Sequence, residues 1–311
     1  AVELGAGTRE VIADREGDEA RLVLREADAK AGHLRDKRSH FEERPSMPDG
    51  RRKVSANVKV MLSCVLSRAS RELSDMGSII DMHIHTVVGS MDSDISPKRL
   101  GEQAVMVGLT GVAITEHLHM WRQGEIEHFR EEHGLFAFNA REYNTEMGHV
   151  GVFGLPADVK GLRYISDLRR ACKEYGAFMV MNHPFRYYPG PSSLLFGDRW
   201  REQMLPLEDV CAHPVFSMVD AVEVLNGGCI DRENALAREV AQQLGLPMVG
   251  GSDAHMPLEV GRYATLFEHD ISSEEQMLAE LHAGRFHAAR RIEPGVFEPV
   301  ANPVPREAAS N

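Results

Sequence analysis

His83-Ile84-His85 closes the apolar run Ile79-Ile80-Asp81-Met82. In an extended strand residues i and i+2 share a face, so both imidazoles can reach one ion. Asp253-Ala254-His255 repeats that spacing after Pro247-Met248-Val249-Gly250-Gly251. Three further signatures lie between them: Thr115-Glu116-His117, Glu142 with His149, and Asn182-His183-Pro184. Each stands at or just after a short apolar segment. Imidazole nitrogen and carboxylate oxygen together suit Zn, Mn or Fe, and no cysteine thiolate is needed. Ligand-type residues at the ends of successive strands are what a metal cage built on the C-terminal rim of a barrel requires.

The elements that must position them alternate. Strands are predicted over Ile79–His83, Gly111–Thr115, Phe136–Glu142, His149–Gly154, Ala177–Asn182, Ala221–Leu225 and Met248–Gly251. Helices fall between most of them. Ser96-Pro97 is an N-cap followed by proline at the first helical position, and Gly108 ends that helix. A second helix runs from Ser166 to Gly176. A third starts at Asp231, with Ala235, Leu236, Val240 and Leu244 at helical spacing, and stops at Gly245. A fourth follows Ser273 and stops at Gly284. Strands alternating with helices imply a parallel sheet, closed or nearly closed as a barrel; an open doubly wound sheet fits the same alternation.

These residues resemble the PHP family (polymerase and histidinol phosphatase). The pattern opens with His83-Ile84-His85-Thr86, then Ser90-Met91-Asp92-Ser93, then Ser96-Pro97. Thr115-Glu116-His117 follows a strand, with glutamate where the commonest pattern has aspartate. Glu142 and Gly148-His149-Val150 match the third element, and His183-Pro184 the fourth. Gly251-Ser252-Asp253-Ala254-His255 matches the last in full, and Asp220–Asn226 is similar to the strand before it. The resemblance covers residues 79 to 290.

It implies an α/β fold, a distorted (β/α)7 barrel with the metal site at the C-terminal ends of the strands. It also implies three divalent ions (Zn, Mn or Fe). By analogy His83, His85, Glu142 and Asp253 hold one; Glu142 bridges to a second, completed by His149 and His183; Asp92, His117 and His255 hold the third. Asp94 competes with Asp92, and spacing to Pro97 favours Asp92. Glu116 is expected beside a ligand rather than as one. Divalent ions lower the pKa of water from ~15.7 towards about 7 and neutralise phosphoryl oxygens, so phosphoester hydrolysis is the implied reaction.

A phosphate should also meet a protein cation. Arg186, three residues after His183, is the best placed, and its planar fork can hold two phosphate oxygens. Arg262 is a second candidate for binding substrate. His119 is a candidate general acid beside Glu142 and Arg186 in the catalytic set. Phe185, Tyr187 and Tyr188 open an aromatic, Pro-rich loop reaching Phe196, either a roof over the site or a packed surface loop. The favoured reading is a phosphatase of small phosphorylated molecules. The alternatives are a phosphodiesterase or short-oligonucleotide exonuclease, a carbamate or other ester hydrolase, and a non-catalytic PHP binding module.

Composition fits an enzyme: 311 residues with 43% apolar content can bury a barrel-sized core. The formal charge of −12 is unevenly placed: residues 1–75 carry a net +1 and residues 76–311 a net −13. So acidic a body disfavours long duplex nucleic acid and leaves a small substrate as the expected partner. Cys64, Cys172, Cys211 and Cys229 show no C-x-x-C spacing, as expected in a reducing cytoplasm. The chain shows no membrane-length apolar run, and no oligomeric state is legible. Residues 1–77 read as a charged extension, weakly ordered or helical over 55–73, and residues 78–292 as the catalytic domain. Residues 293–311 read as a tail. Met76 is a candidate true start, with the upstream residues an extended reading frame.

Overall fold

The computed structural model describes residues 77–302 apart from 163 and 198–203. The expected extension and the end of the expected tail lie outside the described residues. The elements in chain order are β1 (Ile79–Ile84), α1 (Pro97–Met106), β2 (Gly111–Glu116), α2 (Gln123–His133), β3 (Phe136–Thr145), β4 (Gly148–Phe153), α3 (Ile165–Tyr175) and β5 (Phe178–Met181). Then come α4 (Leu207–Cys211), β6 (Ala221–Asn226), α5 (Asp231–Leu244), β7 (Met248–Gly251), β8 (Tyr263–Phe267), α6 (Glu274–Ala283), β9 (Phe286–Glu293) and β10 (Val296–Pro299).

All seven expected strands are present within three residues of their predicted bounds, and β8, β9 and β10 add to them. They form one sheet in the order β10-β9-β8-β1-β2-β3-β4-β5-β6-β7. The alternation is not strict. No helix separates β3 from β4, which pair antiparallel, and β8 to β10 form an antiparallel meander on the far side of β1. Part of the expected tail is therefore sheet: β10 pairs Phe297 with Arg291 and Glu298 with Arg290.

The sheet curls. Ile84 bridges Ala254 in parallel, and the Asp253 and His85 amides donate to His83 O (2.8 Å) and Ala254 O (3.1 Å). Thus β1 pairs with β8 along its first residues and with the chain leaving β7 along its last. Lower down, the Thr265 hydroxyl bridges β7 and β8, accepting from Gly250 N (3.0 Å) and donating to Gly250 O (2.9 Å). One apolar cluster draws on β1 to β9, including Ile80, Phe138, Phe153, Phe178, Val249 and Phe286, with Met277 and Leu281 of α6 against it. A cluster shared by strands so far apart in sheet order is the inner face of the curl. Each such side chain contributes roughly 1.5–3 kcal/mol on burial.

The helices close the outside. Ser96 caps α1 by accepting from Arg99 N, with Pro97 inside the first turn. Helices α2, α3, α5 and α6 all end on a left-handed glycine: Gly134, Gly176, Gly245 and Gly284. The buried faces of α1 and α2 join one outer cluster over β1 and β2, and those of α3 and α5 join another over β4 to β7, while α6 packs on the inner cluster.

Candidate metal centre

The inner face turns polar at one end, and strand periodicity explains how. On β3, Phe138 and Ala140 face the apolar interior, so Glu142 continues the same face. On β6, Ala221 faces inward and Glu223 follows it. On β1 the alternation breaks: the register with β2 shifts between Asp81 and Ile84. That irregularity lets His83 and His85 face inward above Ile80 and Met82.

His83 Nε2 and His85 Nε2 stand 3.0 Å apart. Around this pair lie Glu142 (Oε1 3.4 Å from His83 Nε2, Oε2 3.5 Å from His85 Nε2) and Asp253 (Oδ1 at 3.5 and 3.3 Å). Glu142 Oε1 also meets His183 Nε2 at 3.2 Å and His149 Nδ1 at 3.4 Å. Its other oxygen lies 3.4 Å from His117 Nδ1. Asp92 Oδ2 is 3.6 Å from His117 Nε2 and 3.3 Å from His255 Nε2. Of the two candidates it is Asp92, not Asp94, whose carboxylate lies within 4 Å of these histidines. All nine expected ligand positions converge here.

Three ligand-type triplets have donor atoms mutually within 4.8 Å: His83, His85 and Asp253; His83, Glu142 and His183; His85, His117 and His255. The donor set suits divalent ions. Two imidazole nitrogens 3.0 Å apart, with carboxylate oxygens on either side, form a cation-seeking arrangement. Among the described residues, His149 Nδ1 is a buried ring nitrogen without a hydrogen-bond partner. The electrostatics agree. Burial works against charge on His83, yet Glu223, Asp253 and Glu142 raise its pKa well above the ordinary imidazole value. Burial pushes His85 down to about 4. Burial opposes ionisation of Glu142, but the neighbouring histidines, His83 foremost, hold it well below the usual carboxylate range. The site concentrates negative charge and lone pairs where cations would satisfy both.

A layer behind the ligands holds them. Glu223 is buried; its Oε1 lies 3.0 Å from His83 Nδ1, and its Oε2 accepts from His183 N and Asn226 Nδ2, both at 2.9 Å. Glu116 accepts from Ser90 Oγ (2.6 Å), Trp121 Nε1 (2.9 Å), Thr86 N (3.1 Å) and the Thr86 hydroxyl. Ser90 in turn stands 3.2 Å from His85 Nδ1, so Glu116 sits one bond behind a ligand. Asn182 Nδ2 donates to Glu142 Oε1 at 2.9 Å. The sequence reading singled out neither Glu223 nor Asn182 as a site residue; the signal available was Glu223 as an acid inside an apolar strand.

His183 (φ 27°), Tyr187 (φ 65°) and Asp253 (φ 52°) occupy the left-handed region without being glycine, a strained backbone that persists only where the surroundings hold it. A cavity of about 320 Å³ opens above the cluster, lined by Asp92, His117, Glu142, His149, His183, Asp253 and His255 together with Arg186, Gly227, Gly228, Ser252 and Glu259. Arg186 Nη1 donates to Asp253 Oδ2 at 2.9 Å. The remaining candidates fall outside. His119 is exposed and does not line the cavity. Arg262 is exposed too, donating to Gly227 O (3.1 Å) on the rim. The aromatic loop is packed: Phe185, Tyr188 and Phe196 are buried, with Phe185 and Phe196 stacked at 6.0 Å.

Residues 231–286 match the family model described as PHP-associated, a span running from α5 to the start of β9. The PHP resemblance holds. The chain is 26% identical over 202 residues to MJ0417, an uncharacterised protein of Methanocaldococcus jannaschii, covering 64% of this chain and 74% of that one. Among solved structures, PsfC from Pseudomonas syringae is similar at TM-score 0.47 and 17% identity, over 70% of this chain and 93% of that one. The lesion-specific endonuclease Q of Pyrococcus furiosus is similar at TM-score 0.43 and 16% identity, over 66% and 56% respectively. No described helix is long and apolar enough to cross a membrane.

Proposed function

We propose that the chain is a metal-dependent hydrolase of small phosphomonoesters, working on a distorted (β/α)7-type barrel. One observation carries the reading: nine imidazole and carboxylate ligand positions converge beneath a 320 Å³ cavity whose wall includes the Arg186 guanidinium. His83, His85, Glu142 and Asp253 would hold one divalent ion, Glu142, His149 and His183 a second, and Asp92, His117 and His255 a third. Such ions supply acidified water and charge neutralisation on phosphoryl oxygens.

The chain's own groups supply the rest. Glu142 presents both oxygens to different histidines, so one carboxylate ties the ligand sets together. Glu223 and Ser90 occupy the Nδ1 atoms of His83 and His85, leaving both Nε2 atoms turned inward. Arg186 spends one nitrogen on Asp253, which orients the fork; the remainder can meet a phosphoryl oxygen. The acidic body and the small cavity favour a compact ester over a long polyanion.

The test is a metal count paired with hydrolysis of p-nitrophenyl phosphate and bis(p-nitrophenyl) phosphate, before and after chelation. Two to three ions per chain, with chelator-sensitive monoester cleavage lost in His83→Ala, is the expected result. Faster cleavage of the diester would overturn the monoester reading. No bound metal and no activity after Mn or Zn is supplied would overturn the catalytic one.

A further inference from the structure

Arg186 is the only guanidinium among the described residues that line the cavity. Three contacts set the direction of its fork. Its Nη1 donates to Asp253 Oδ2 at 2.9 Å. The guanidinium lies over the Tyr187 ring at 5.4 Å. It also packs on Gly228, where a Cβ would stand 3.1 Å from Arg186 Cζ and 3.2 Å from Nη2. Asp253 is an expected metal ligand; Tyr187 and Gly228 are not.

Those two are held by the first turn of α5, through three successive residues. Arg232 Nη2 donates to Tyr188 O at 3.0 Å. Glu233 Oε1 accepts from Tyr187 N at 2.8 Å. Asn234 Oδ1 accepts from Asn226 N at 3.0 Å, and its Nδ2 donates to Asn226 O at 3.1 Å. Asn226 Oδ1 in turn accepts from Gly228 N at 2.8 Å. One helical turn thus grips both the loop after β5 and the loop after β6.

Glu233 does more than its helix asks of it. It is buried at the third helical position, and its Oε2 accepts from Ile230 N at 3.1 Å. An acid at that position commonly makes this bond to finish a helix N-terminus, and one oxygen suffices for it. The other oxygen reaches Tyr187, 46 positions upstream. There the backbone φ of 65° is costly for a bulky residue. The N–H it holds belongs to the peptide that leaves Arg186. Glu233 therefore fixes the backbone from which the guanidinium hangs, by a charge-assisted bond.

We infer that Glu233 is a positioning residue for the substrate anion, acting through Tyr187 to set the Arg186 fork before the phosphoryl group arrives. This inference rests on the phosphoester reading above. A fork already in place loses less freedom when the anion binds. The contribution of Glu233 therefore falls on capture of the anion and not on retention of metal.

The experiment is a double-mutant cycle of Glu233→Ala with Arg186→Ala, on the full chain at saturating Mn. It reads the Kd of inorganic phosphate by calorimetry, KM and kcat for p-nitrophenyl phosphate, and Mn affinity by competition with a chelator. Arg186→Ala is expected to weaken phosphate binding about tenfold or more, the loss of a charge-assisted hydrogen bond. Glu233→Ala is expected to weaken it about three- to tenfold, through Kd and KM rather than kcat, with Mn affinity within about twofold of the parent. On the Arg186→Ala background the same substitution should add less than about twofold. Because Glu233 also finishes a helix, Glu233→Gln is run beside it; it keeps the side-chain size and one acceptor oxygen, and should show a smaller effect with the same pattern. Phosphate affinity unmoved by either Glu233 variant would overturn the inference and leave the phosphoesterase standing. So would an effect that persists without Arg186, or Mn affinity falling as far as phosphate affinity. If the ester is not cleaved, yet phosphate binds and the cycle is coupled, the positioning role stands and the catalytic reading fails. No phosphate binding to the unsubstituted chain would overturn both.

Discussion

Glu223 shows how much of this site depends on a residue outside the nine expected ligand positions. Its carboxylate meets His83 Nδ1 and holds the amide of His183, one ligand on each side. Glu223→Gln keeps the shape but weakens the acceptor for His83. Metal affinity is expected to fall about 10–100-fold with the fold retained, measured by competition against a chromophoric chelator. Tyr187 makes the opposite point. Tyr187→Gly removes the left-handed penalty, partly offset by the freer unfolded chain, and is expected to raise stability by about 1 kcal/mol or less, read as a higher thermal midpoint. The ligand positions were legible in the sequence because each sits in a short local signature. Glu223 was not, because its role depends on which strand faces it. His119 looked suitable by proximity to His117, yet the turn after β2 leaves it exposed.

At the level of elements, the join between β7 and its neighbours is where the curl is held. Thr265 gives its hydroxyl to both backbone groups of Gly250. Thr265→Val would leave a buried amide and carbonyl unpaired, at a cost of about 1–3 kcal/mol, seen as a lower denaturation midpoint. Gly251 is the tighter constraint. A Cβ there would lie 2.4 Å from His83 Cβ and 2.8 Å from His83 N. Gly251→Ala must push β7 off β1 and is expected to abolish metal binding even where secondary structure by circular dichroism survives. The seven strands that carry ligands or lie between them were readable from apolar runs bounded by turn residues. The meander was not: Phe286–Glu293 carries His287, Arg290, Arg291 and Glu293, and an edge pair so charged gives no clean alternation. The antiparallel β3–β4 hairpin also escaped, because strand signals do not carry direction.

For the whole molecule, charge and linkage decide behaviour. Metal that binds only the folded chain stabilises it by mass action, about 2.7 kcal/mol per site at a hundredfold excess over Kd. Chelation should therefore lower the melting temperature by several degrees, and Mn or Zn should restore it. Away from the site, Arg285 beside Glu280 (2.5 and 2.9 Å), helped by His269, holds the Glu280 carboxyl down at about 2, below its ordinary value of about 4.3. A carboxyl depressed on folding contributes stability that is complete above the ordinary pKa and is lost as pH falls towards the folded one. The decline should fall between about pH 4.5 and 2, and be shallower in Glu280→Gln when denaturation is followed across that range.

The handover of β1 from β8 to the chain after β7 carries a consequence for how the protein is made. His83 and Asp253 are joined by a backbone hydrogen bond across 170 positions of sequence. During synthesis the early ligands leave the ribosome long before the late ones exist. A partial chain ending before Asp253 can offer imidazoles but not the full cage. On the proposed metal-dependent reading, tight capture would wait for the last motif, and a loaded ion would report that translation has passed it and that the two ends of the curl have met.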